Sequence, residues 1–262
     1  MAAQERFFSS QTGRGVRIAV VDSGIHAAHP HVGGIAGGVA FAPGGRAADD
    51  FIDRLGHGTA VAAAIREKAP GAEIFAVKVF HDALATGVSQ LVRAIDWAAE
   101  RRIHLVNLSL GTANSAHEAA LRGAVERAAR AGTLLVSARE HQGAPWFPGS
   151  LPGVLPVLLD WACPRAEYRA DLTPEGSVVF RASGYPRPIP GVPPERNLKG
   201  ISFAVANMTA FAARALESEP DASLQRRIDL LAAASREARE AGGPAECRAR
   251  SALARSKRLR PP

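Results

Sequence analysis

Three side chains far apart in this sequence, Asp22, His57 and Ser202, have the types needed for nucleophilic acyl chemistry. A serine hydroxyl is a weak nucleophile until a neighbouring base takes its proton. Histidine suits that task near neutral pH, and a carboxylate can orient the imidazole and stabilise its charged form. Asp22 closes an apolar run and opens an Asp-Ser-Gly turn, while His57 and Ser202 each open a helical stretch behind a glycine, Gly56 and Gly200. A helix start offers free backbone N–H groups and positive potential. Singly, each signal has a plain structural explanation: a turn, a surface histidine, an N-cap serine. Their combination is what points to chemistry.

The elements that would have to position these residues alternate between strand and helix. Gly15–Val21 (GVRIAVV) reads as a buried strand, followed by a glycine-rich loop through Gly45. An alanine-rich helix is expected from His57 to Glu67, then a Pro70-Gly71 turn and a strand over Ala72–Phe80. Ser89 is the expected N-cap of a helix through Arg101. Strands are expected over Ile103–Leu110 and Thr133–Ala138, flanking a helix Ala116–Ala131 that Gly132 closes. This order predicts an α/β fold with a doubly wound, mostly parallel sheet flanked by helices. Ligands of such sheets bind beyond the carboxyl ends of the strands, where Asp22 lies. Residues 145–194, rich in Pro and Gly, read as loops and short antiparallel strands. Helices are expected over Phe203–Leu216 and Leu224–Glu240.

The segments Val20–Ile25 (VVDSGI), His57–Ala62 (HGTAVA) and Gly200–Ala204 (GISFA) resemble the subtilisin family of serine peptidases. Ala69–Val79 (APGAEIFAVKV) and Val106–Gly111 (VNLSLG) resemble that family's core strands, and the Asp, His, Ser order is also the family's. The resemblance spans Gly15 to Leu216. It implies a peptidase domain over residues 15–240, preceded by an N-terminal segment over 1–14 and followed by a basic, flexible tail over 241–262. It implies Asp22, His57 and Ser202 as a catalytic triad. It also implies that Ser109, Leu110 and Gly111 form an edge on which an extended peptide adds as a strand.

The sequence departs from the family at several places. Glu140 stands where the family has an asparagine that donates to the oxyanion, and an ionised carboxylate has no proton to donate. One such donor is worth about 10²–10³ in turnover, a magnitude that comes from subtilisin itself. Ile201, Ala206-Asn207 and Ala60 also replace common family residues, and no inhibitory prodomain is recognisable before Gly15. The resulting expectation is an endopeptidase or processing peptidase, narrow in specificity, with a modified oxyanion hole. The alternatives are a homologue that binds an extended peptide without cutting it, and a transpeptidase whose acyl-enzyme is intercepted by an amine.

Composition bounds the partners. The net charge of +7 is an arginine excess, partly in the tail at Arg248, Arg250, Arg255, Lys257, Arg258 and Arg260. Without accompanying aromatics these charges argue against nucleic-acid binding. No apolar run is long enough for a membrane span. Met1–Thr12 holds no signal-length apolar stretch, so the expectation is a cytoplasmic protein or an excised mature domain. Cys163 and Cys247 have no metal-ligand spacing, and separate thiols or one bridge are both open. Neither an acid nor a cysteine completes a metal set with His26, His29 and His31. Asp49, Asp50 and Asp53 read as a solvated face. No metal or cofactor is expected; the expected partner is a peptide or protein substrate.

Overall fold

The computed structural model describes residues 7–42, 44 and 47–241. The basic tail and Cys247 lie outside the described residues. Within them, eleven strands and five α-helices follow in the order β1 (Arg17–Asp22), β2 (Gly37–Phe41), β3 (Ala47–Ala48), α1 (His57–Lys68), β4 (Glu73–Lys78), α2 (Val88–Glu100), β5 (Leu105–Leu108), α3 (Glu118–Arg130), β6 (Leu134–Ala138), β7 (Glu140–His141), β8 (Ala144–Pro145), β9 (Val154–Leu159), β10 (Tyr168–Leu172), β11 (Val178–Ala182), α4 (Ile201–Ser218) and α5 (Leu224–Ala241).

Nine of these strands form one sheet in the order β10-β11-β9-β6-β5-β1-β4-β2-β3. All neighbours are parallel except the edge pairs β10–β11 and β2–β3. The expected α/β class, a mostly parallel sheet between helices, is therefore the fold observed. Strand β1 lies between β4 and β5, so the chain crosses over it on passing from one neighbour to the other. Such a reversal opens a crevice at the carboxyl ends of the strands. Asp22 ends β1, and Ser109–Gly111 follow β5 directly.

Burial on both faces explains why the middle of β1, Ile18–Val21, is apolar at every position. Ile18 and Val20 enter one core with α1, α4 and α5, whereas Ala19 and Val21 enter the other with α2 and α3. Alternate side chains of a strand point to opposite faces, so a run buried on both sides must be apolar at every position. Helix α4 is the most enclosed, with Phe203 to Leu216 buried without interruption. The chain before β1 is also built in. Phe7 packs against Tyr168 and Phe211. The Glu217 carboxylate accepts from the backbone N–H groups of Thr12 and Gly13, each at 2.6 Å.

Some local expectations are corrected. The glycine-rich loop contains β2, which pairs parallel with β4. Ser89 does not cap α2; Gly87 is the N-cap, and the Ser89 hydroxyl donates to Gln90 Oε1 instead. In 145–194, β9 and β11 extend the parallel sheet, and only β10 runs antiparallel within it. Among the described residues no helix is long and apolar enough to cross a membrane.

Candidate active site

The crevice beyond β1 and β5 gathers the residues singled out above. Asp22 is fully buried, and its Oδ1 lies 2.7 Å from His57 Nδ1. The same oxygen accepts from Ser23 N at 2.8 Å. A carboxylate facing Nδ1 sets the imidazole tautomer with the proton on Nδ1, leaving Nε2 as the basic nitrogen. Burial opposes charge on His57. The hydrogen bond and charge of Asp22, helped by the charge of Asp53, outweigh it and hold the pKa above the ordinary histidine value.

His57 reaches this position because α1 starts against the end of β1. A Cβ on Gly58 would come within 2.2 Å of Gly24 O and 3.1 Å of Asp22 Cβ, so only glycine lets the helix approach so closely. The rest of the α1 start is held by Asp53, which corrects its reading as part of a solvated face. Asp53 is only 9 % exposed. Its Oδ1 accepts from Ser23 Oγ, Leu55 N and Gly56 N at 2.8–2.9 Å. Its Oδ2 accepts from Thr59 N at 2.8 Å and Thr59 Oγ1 at 2.6 Å. Burial pushes its pKa up, but the bonds from Thr59, Ser23 and Gly56 prevail and hold it below the ordinary aspartate value. Ser23 links the two carboxylates, since its hydroxyl also lies 3.2 Å from Asp22 Oδ1 and accepts from Gly58 N at 2.9 Å.

Ser202 is half-buried in the first turn of α4, which packs against α1. The His57 ring lies 6.0 Å from that of Phe203, the next residue. Ser202 Oγ and the imidazole make no hydrogen bond here; such contacts commonly tighten only when substrate is bound. The Ser202 N–H belongs to the first helical turn, whose N–H groups have no intrahelical acceptor. Polar side chains fix this turn from β5. Asn107 Nδ2 donates to Ser109 Oγ at 3.0 Å, and Ser109 Oγ donates to Ser202 O at 3.4 Å. Asn107 Oδ1 accepts from Thr209 Oγ1 at 3.0 Å, one helical stretch further along α4. The roles of Asn107 and Asp53 were missed because a side chain's partners across the fold leave no local sequence pattern.

Ser109, Leu110 and Gly111 form a half-buried segment beyond β5. Glu140 is exposed, on β7, paired through the backbone with Pro145. Between these segments stands Trp146, also absent from the sequence-based expectations. A Cβ on Gly111 would fall 2.4 Å from Trp146 Nε1 and 2.4 Å from Phe147 O. On the other side the indole lies 5.0 Å from the His141 ring, and Trp146 N donates to Arg139 O at 2.9 Å. The indole therefore fills the interval between the segment after β5 and β7.

His29 and His31 meet edge to face at 5.2 Å between centroids. Among the described residues no group of three or more His, Cys, Asp or Glu side chains is placed to hold a metal ion.

The family model described as "Subtilase family" matches residues 13–139, a stretch that contains Asp22 and His57 and ends before Ser202. "Subtilisin Savinase" of Lederbergia lenta is 32% identical over 212 residues, covering 77% of this chain and 73% of its own. Subtilisin E of Bacillus subtilis (strain 168) is 28% identical, covering 77% of this chain and 53% of its own. Among solved structures, "Sphericase" superposes with a TM-score of 0.67 at 24% identity, covering 84% of this chain and 82% of its own. A cold adapted subtilisin-like serine proteinase superposes with a TM-score of 0.63 at 22% identity, covering 85% and 83%. At those identities the two structures speak for the fold alone.

Proposed function

This chain belongs to the subtilase family of serine peptidases, and from that premise we propose that it is an endopeptidase or processing peptidase acting through an acyl-enzyme, with Asp22, His57 and Ser202 as its triad. The observation that carries this reading is the 2.7 Å contact of Asp22 with His57 Nδ1 beside the helix turn that bears Ser202. Ser202 Oγ attacks the scissile carbonyl carbon while His57 Nε2 takes the hydroxyl proton. Asp22 steadies the imidazolium that forms. The Ser202 N–H donates to the oxyanion. Collapse breaks the C–N bond, and the departing amine takes the proton from His57. Water, deprotonated by His57, then attacks the ester, and His57 returns the proton to Ser202 Oγ as the C–O bond breaks and the acid is released.

Two features support narrow, modest turnover rather than general proteolysis. Trp146 leaves little room beside Gly111 for the side chain that precedes the scissile bond, which favours small residues there. Glu140 is exposed and stands where the family has a donating asparagine, so the oxyanion hole is one donor short. Glu140 also favours a second reading, a homologue that binds an extended peptide on the Ser109–Gly111 edge without cutting it. Internally quenched peptides with small residues before the scissile bond distinguish the two. Cleavage by the parent chain and none by Ser202→Ala supports the peptidase. Equal binding by both, with cleavage by neither, supports the binding protein.

A further inference from the structure

A pocket of about 710 Å³ opens beside the start of α1, and its lining does not include the Ser109–Gly111 edge. Gly56, Thr59 and Ala60 line it from the start of α1, next to His57, and Asn197 and Leu198 line it from the segment that runs into Ser202. None of its walls comes from residues 109–112 or 138–147. A peptide seated on the edge with its carbonyl at Ser202 thus leaves the pocket to the part of the substrate that departs as the amine.

Arg54 and Arg187 bring positive charge to the pocket, His26, His29 and His31 also line it, and Asp53 is its only carboxylate among the described residues. Asp53 is already occupied by the five donated hydrogen bonds described above. Arg54 is paired with Asp50 at 2.9 Å. Arg187, half-buried, has no carboxylate within salt-bridge distance among the described residues. Partial burial, Arg187 and His29 together hold the His31 pKa below its ordinary value, against the opposing charge of Glu67. Arg187 thus lies near His31 and is the pocket's cation without an ion-pair partner among the described residues. Ala60, Ala63, Pro186, Ile189 and Leu198 supply apolar wall suited to the methylenes of a side chain.

We infer that this pocket binds a carboxylate on the leaving segment of the substrate, with Arg187 as its principal partner. Arginine's planar fork matches a carboxylate in two parallel hydrogen bonds. The inference rests on the peptidase reading above, because that reading sets which part of the peptide reaches the pocket. The carboxylate can belong to a Glu or Asp side chain or to a nearby C-terminus; the chemistry is the same and the test separates them.

The test uses the full chain and quenched peptides identical before the scissile bond, with Glu, Gln, Ala or Lys in the first two positions after it. Each is made with a distant amidated end and, in a short form, with a free C-terminus. kcat/KM for Glu should exceed that for Gln by about tenfold, the effect of one charge-assisted hydrogen bond, and Lys should be poorest. Arg187→Gln should bring the Glu-to-Gln ratio close to one, and Arg187→Glu should invert the preference toward Lys. A preference for the free C-terminus whatever the side chain assigns the pocket to the terminal carboxylate. Binding of the same peptides to Ser202→Ala reads the pocket without turnover, so loss of cleavage alone overturns only the peptidase reading. No preference for an acidic or free-terminus peptide in either measurement, or a preference unchanged by Arg187→Gln, overturns the inference.

Discussion

Replacing Asp53 by Asn tests whether the α1 start is held as the geometry indicates. The parent carboxylate accepts five hydrogen bonds, three on Oδ1 and two on Oδ2. Asparagine keeps one acceptor oxygen, and its NH₂ must face one of these sets. The cheaper choice puts NH₂ at the Oδ2 place, where the Thr59 hydroxyl can turn to accept and only the Thr59 N–H is orphaned. One buried donor left without a partner costs about 1–3 kcal/mol, and the remaining bonds lose their charge assistance, so the expected loss is about 2–4 kcal/mol. In a domain of this size that lowers the melting temperature by about 5–15 °C. Asp53→Ala removes every acceptor and should cost more. The stabilisation also has a pH signature. The folded pKa of Asp53 is depressed, so its contribution is present above the unfolded aspartate value and is lost as pH falls through the lower, folded value. A second readout is kinetic. His57 must be neutral to act as base, so kcat/KM falls as pH drops through its raised pKa. Asp53 helps raise that pKa, so Asp53→Asn should move the acid limb to lower pH. An unchanged melting temperature together with an unmoved or upward-shifted limb would refute the reasoning.

Three further outcomes are expected. Glu140→Asn should raise turnover on a cleavable peptide by up to about 10²-fold by restoring a donor, and Glu140→Ala should remain close to the parent; a sharp loss with both substitutions would make Glu140 a working catalytic group. Trp146→Gly should open the space beside Gly111 and shift kcat/KM from Ala toward Phe before the scissile bond by about tenfold or more; peptide profiling that finds the same preference in both proteins would contradict the assignment. Melting temperature should change little between a chelator and millimolar calcium, because a ligand stabilises a protein only through a native-state site; a clear rise with calcium would reveal one.

What could be read from the sequence was what depends on neighbouring residues. The run before Asp22 is apolar because β1 is buried on both faces, and the glycine before each of His57 and Ser202 marks a helix start. These local patterns located the central strands and the helices, while the pairing of Asp22 with His57 was implied by the resemblance to the subtilisin family. Relations made across the fold were not legible. Asp53 looks like any exposed acid until Ser23, Leu55, Gly56 and Thr59 are seen to converge on it. Trp146, in a Pro- and Gly-rich stretch, gains its meaning only from the approach of Gly111. Strand β2 was hidden because Gly37 and Gly38 carry no strand pattern of their own, and its pairing with β4 is what orders it. Residues 145–194 misled for a related reason: Pro and Gly mark the turns there, while the parallel pairing of β9 and β11 is set by β6 and by each other.

The central claim is that His57, oriented by Asp22, activates Ser202. Intact-mass analysis after treatment with a fluorophosphonate measures that activation without needing a substrate. The account predicts one added phosphonyl group on the native chain, located at Ser202 by peptide mapping, and none on Ser202→Ala or His57→Ala variants that retain the parent's circular dichroism. A natively folded parent chain that takes up no label, or takes it up at another residue, would contradict it.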